Sequence, residues 1–89
     1  MKKIQLHIEV WEEGGMYVAH THQLDVSSCG HSLEEAKKNI QEAVGLYLEE
    51  AEKFGTLNDV LEEAGFTLDE NKEWKEPEML SLEKVSLAF

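Results

Sequence analysis

The chain opens with apolar and polar residues in alternation: Ile4, Leu6, Ile8 and Val10 are separated by Gln5, His7 and Glu9, and Trp11 follows on the polar side. A period of two predicts a β-strand with one buried and one wetter face. Glu12-Glu13-Gly14-Gly15 then offers glycines that tolerate positive φ, which predicts a tight hairpin. Residues 16–21 (MYVAHT) are rich in strand-forming types and predict the returning strand. Gln23 and Leu24 form a connection, residues 25–29 (DVSSC) a shorter third strand, and Gly30 breaks the meander.

At Ser32 the period changes. Ser32-Leu33-Glu34-Glu35 reads as a capping box, in which the serine hydroxyl accepts the Glu35 amide and the Glu35 carboxylate reaches back to the Ser32 amide. Leu33, Ala36, Ile40, Ala43, Val44, Tyr47, Leu48 and Ala51 follow at spacings of three and four, predicting one long amphipathic helix that Gly55 ends. Residues 56–64 (TLNDVLEEA) repeat the pattern on a smaller scale, with Thr56 as cap and Gly65 as stop. The polar run 69–77 (DENKEWKEP) predicts an exposed connection. Residues 83–89 alternate again, with Val85, Leu87 and Phe89 on one face, and predict a last strand. The expected architecture is α+β: a three-stranded antiparallel meander plus a C-terminal strand, packed on one long α-helix in the order β-β-β-α-(α)-β. A single domain over residues 1–89 is expected.

Charge narrows the partners. Nineteen acidic against eight basic residues give a formal net charge of -11, so direct nucleic-acid binding by this chain alone is not expected, whereas steered association with a basic protein is favoured. One cysteine, Cys29, excludes an intramolecular disulfide framework and fits a reducing compartment. The opening MKKIQLHIEV alternates where a signal peptide is continuously apolar, and no run approaches a membrane span, so a cytoplasmic protein without membrane association is expected.

The stretch GGMYVAHTHQLDVSSCGHSLEEAKKNIQEAVGLYLEE, residues 14–50, resembles the amino-terminal domain of HicB-type antitoxins. The likeness rests on the glycine hairpin leading to Tyr17-Val18-Ala19, on the helix start Gly30, Ser32, Glu34, Glu35 and Ala36, and on the helix segments Ile40–Ala43 and Leu46–Glu49. The resemblance implies a partial ribonuclease-H-like fold that oligomerises and masks HicA, a small basic ribonuclease. Two departures stand out. The residues after Gly65 contain no basic helix of the kind that lets many family members bind DNA, and Gln23-Leu24-Asp25-Val26 replaces the family's usual proline and glycine.

Chemistry-bearing residues are sparse. His20, His22, Cys29 and His31 make the one nitrogen and sulfur set that zinc accepts, but their spacing matches no recurrent zinc signature, so surface or partner-facing histidines are the preferred reading. Cys29 and His31 lack a third orienting group for nucleophilic catalysis, and Glu9 and Asp25 are the only strand-borne acids for a Mg²⁺ site. No catalytic, cofactor or metal residue is assigned, and no enzymatic activity is expected. Binding is expected at Trp11 and Trp74, because tryptophan is enriched at the energetic centres of interfaces, and at the helix acids Glu34, Glu42 and Glu49. Val85, Leu87 and Phe89 are expected to bury themselves in a homodimer or dimer of dimers. The alternatives are a stand-alone homo-oligomer with a regulatory or ligand-binding role, and a small metal-dependent hydrolase.

Overall fold

The computed structural model describes residues 2–89. Six short strands and two helices follow in the order β1 (Lys3–Gln5), β2 (Glu9–Glu13), β3 (Met16–Thr21), β4 (Val26–Gly30), α1 (Leu33–Lys53), α2 (Leu57–Glu63), β5 (Thr67–Leu68) and β6 (Glu73–Lys75). The fold is α+β. One three-stranded sheet runs β2-β3-β4 and is antiparallel, the other runs β1-β6-β5, and α1 packs on the first.

The hairpin is where the glycines put it. Glu13 pairs with Met16, and Gly14 and Gly15 both take positive φ (59° and 84°), the backbone twist that a two-residue turn between antiparallel strands requires. The next turn uses Asp25 at φ 53°, a conformation that aspartate tolerates better than most residues, so the third strand begins one residue later than expected. Gly30 is the last residue of that strand and does not break it. It is buried, and a Cβ there would lie 2.6 Å from the Ala36 amide nitrogen and 2.9 Å from the Glu35 carbonyl carbon. The glycine therefore lets the first turn of α1 sit directly on the sheet.

The helix start is half a capping box. Ser32 Oγ accepts the Glu35 amide at 3.1 Å, but the Glu35 carboxylate accepts the His31 amide at 3.0 Å, one residue before the expected one. The inward stripe of α1 centres on Ala36, Ile40, Val44 and Ala51, while Leu33 and Tyr47 stay substantially exposed. Ala19 and Thr21 of β3, both fully buried, meet this stripe. Thr56 stands before α2 without capping it, because its hydroxyl donates instead to the Ala51 carbonyl at 3.2 Å.

Three expectations are corrected. The first strand is two strands: residues 3–5 pair in parallel with β6, residues 9–13 pair antiparallel with β3, and residues 6–8 belong to neither ladder. Ile4, Leu6, Ile8 and Val10 remain half-buried against the core, since alternation fixes a side chain's face and not its ladder partner. The polar run 69–77 is not an exposed connection. It holds β6, the central strand of the second sheet, whose Trp74 is 5% exposed and lies opposite Ile4 and Leu68. Asp69 builds that hairpin: its Oδ1 accepts the Glu73 amide at 2.9 Å and the Asn71 amide at 2.8 Å. Finally, residues 83–89 form no strand and stay exposed. The last strand of the order β-β-β-α-α-β is thus β6, and its parallel pairing with β1 makes the second sheet mixed.

Candidate functional site

Because Ala19 and Thr21 turn inward beneath α1, the alternate residues of the first sheet face away from the helix. On that open face Trp11 lies across from Val18, and Val18 across from Cys29. The next row is Glu9, His20 and Ser27, and Met16 lies opposite Glu13. Trp11 is 42% exposed and its indole N–H points to Glu13 Oε2 at 3.4 Å. The result is an apolar row of tryptophan, valine and cysteine with glutamates on either side.

The other expected contact residues separate into three groups. Glu34, Glu42 and Glu49 are all exposed on α1, Glu34 with Lys37 at 3.7 Å. Trp74 belongs to the core, 5% exposed on the central strand of the second sheet, and is not an exposed anchor. Val85, Leu87 and Phe89 are open to solvent, at 69%, 80% and 122% exposure.

The histidines and the cysteine do not converge. His20 and Cys29 share the open face, His22 lies in the turn after β3, and His31 precedes the helix. Among the described residues, no three His, Cys, Asp or Glu side chains stand where they could hold a metal ion. Each histidine other than His22 has a carboxylate instead: His20 meets Asp25 at 3.0 Å, His31 meets Glu35 at 3.1 Å, and His7 meets Glu76. Hydrogen bonds from the His31 backbone and ring hold the Glu35 carboxyl below its ordinary value, against a smaller opposing effect of burial. Glu9 and Asp25 stand on either side of His20 and bring no third acid with them.

Two features escaped the sequence reading. The first is a groove of about 580 Å³ between α1 and β1, with Ile4, Leu48, Leu57 and Trp74 in its lining and Lys3 and Glu49 at its rim. It continues along Leu6, Ile8 and Val44 in a further 210 Å³. Gly45 of α1 lines both parts, and a glycine in the middle of an amphipathic helix was the one signal available. The second is the strap formed by residues 76–79, which runs beside residues 5–7 and is fastened by the His7 amide donating to Glu76 Oε2 at 3.1 Å.

No described helix is long and apolar enough to cross a membrane. Scanned against family models, curated proteins and solved structures, the chain gives no match.

Proposed function

We propose that this chain is a protein-binding module of the antitoxin kind, which masks a small basic protein of the HicA ribonuclease type and performs no chemistry of its own. The observation that carries the reading is the open face of β2-β3-β4, where Trp11, Val18 and Cys29 form an apolar row with Glu9 and Glu13 beside it. An aromatic anchor among apolar neighbours with a charged rim is the usual anatomy of an interface centre. The net charge of -11 sets the sign of the partner. Exposed acids on α1, Glu34, Glu42 and Glu49, extend the same field over a second surface. Masking requires only steric cover and complementary charge, which agrees with a chain whose acids and histidines pair with one another.

The test is co-expression with the product of the neighbouring reading frame, followed by purification through a tag on this chain. A small basic protein should co-purify, its ribonuclease activity should fall to background in the complex, and the association should weaken as salt screens the charges. Trp11→Ala should raise the dissociation constant by roughly thirtyfold, the scale of an interface anchor. Failure of any basic partner to bind would overturn the reading, as would metal-stimulated hydrolysis by this chain that disappears in a Glu9→Gln or Asp25→Asn variant.

A further inference from the structure

Residues 79–89 form an arm whose large apolar side chains, Met79, Leu80, Leu82, Val85, Leu87 and Phe89, are 50% to 122% exposed. The radius of gyration is 15.0 Å, against roughly 12 Å for a compact chain of this length, which is what an arm standing off the body produces. The same chain carries a largely apolar groove between α1 and β1. We propose that the arm of one copy lies in this groove of a second copy, in a reciprocal exchange that makes the chain a dimer.

Gly45 is the second observation. It lies in the interior of α1, where glycine weakens a helix relative to alanine, and a Cβ added there would meet nothing within 4 Å. Nothing in the single chain therefore requires a glycine at this place. A chain passing close to the helix backbone does require one, and Gly45 lines both parts of the groove.

The lengths agree. From Gln41 to Glu52 the helix wall of the groove is about 16 Å long, and Val85, Leu87 and Phe89 on one side of an extended strand span about 13 Å. Met79 to Glu83 then serves as the span between the two bodies. At roughly 100 Å² for each of Val85, Leu87 and Phe89, two exchanged arms carry on the order of 600 Å² of apolar surface and cover a comparable area of the two grooves, which together reach the scale at which stable interfaces begin. Lys3 and Glu49 at the rim offer opposite charges to Glu83 and Lys84 of the arm.

The exchange is assigned in trans from the arm's course. After Pro77 the arm contains no glycine, asparagine or aspartate, and serine, at Ser81 and Ser86, is the only tight-turn former in it. His7 and Glu76 fasten its root beside the strap, and from there it leads away from its own body. This dimer does not depend on the antitoxin-like reading, since it uses neither the open sheet face nor a foreign partner.

The experiment is light scattering on the intact chain and on Gly45→Leu, Gly45→Ala and Leu87→Glu variants at micromolar concentration. The intact chain should have the mass of a dimer. Gly45→Leu should raise the dimer dissociation constant at least tenfold while keeping the helical circular dichroism. Gly45→Ala should weaken the dimer less and raise the melting temperature of the monomer. Leu87→Glu alters only the exposed arm, so it should dissociate the dimer and leave the body folded even where the groove variants do not fold. Mixing isotope-labelled and unlabelled copies should give filtered contacts between the methyl groups of Leu87 and Leu48 across the two chains. A monomeric intact chain, a dimer indifferent to both Gly45→Leu and Leu87→Glu, or contacts confined to one chain would overturn the proposal.

Discussion

The two three-stranded sheets share the run from residue 3 to residue 13, and they are held together in different ways. The sheet β2-β3-β4 is assembled from residues 9–30, neighbours in the chain, and the helix that covers it begins three residues after its last strand. The sheet β1-β6-β5 pairs Lys3 with Glu73 and uses strands of only two or three residues. Local pairing closes short loops at small entropic cost, whereas the second sheet forms only when distant parts of the chain meet. Its ladders are too short to hold by themselves, so its stability rests on side-chain burial at Trp74, Phe66, Leu57 and Leu61. Trp74→Ala should therefore have the largest effect, a loss of about 3–5 kcal/mol in urea unfolding. Hydrogen exchange would show where the loss falls. Amides of β1 and β6 should open first and those of β3 and β4 keep their protection. A loss below about 1 kcal/mol, or exposure spread evenly over both sheets, would remove the distinction between them.

A smaller effect is expected from an attack on the local sheet. Gly30→Ala places a methyl group against the backbone of Glu35 and Ala36, and neither atom belongs to a side chain that can swing aside. The start of α1 must then lift from β4, at about 1–3 kcal/mol. The helix should survive, because Ser32 still caps it and Ile40 and Val44 still bury its centre. The midpoint in urea should fall with the slope unchanged. An alanine variant as stable as the parent would mean that the helix does not rest on the sheet at this point.

The same division explains what the sequence disclosed. Gly14-Gly15, Ser32 with Glu35, and the stripe from Ala36 to Ala51 are local signals, read within a few residues of the structure they direct, and the hairpin and the long helix lie where those signals put them. β6 has no such signal. Glu73-Trp74-Lys75 is surrounded by charges, and what makes it a strand is Ile4, seventy positions away on a parallel neighbour. Residues 83–89 present the opposite case: their alternation predicts a strand, but alternation describes a segment fit for a sheet and not the presence of a partner for it. On the candidate surfaces, the exposure of Trp11 is legible because it falls on the polar side of an alternating run. The burial of Trp74 is not legible there, because composition alone cannot show that a charged run crosses the core.

The smallest effect expected, and the one that isolates the hairpin of the second sheet, concerns Asp69. Its carboxylate accepts the amides of Glu73 and Asn71 and stands 3.4 Å from the Lys75 ammonium, contacts that together hold it below its ordinary value of 3.8 despite some desolvation. A carboxyl whose folded value is depressed stabilises the fold above its unfolded value, and that contribution disappears as the pH falls through the folded value. The stability difference between the parent and Asp69→Asn should accordingly be constant from pH 7 to about pH 5, shrink below about pH 4, and be lost in stronger acid. Comparing the two chains removes the acid effects common to both, including relief of repulsion among the other carboxylates. Thermal melts at pH 7, 5 and 3 would measure it, together with hydrogen exchange at the Asn71 and Glu73 amides, which should quicken in the variant at neutral pH. If the difference persists unchanged at pH 3, the ionised carboxylate is not what holds β6 beside β5, and the second sheet must depend on side-chain burial alone.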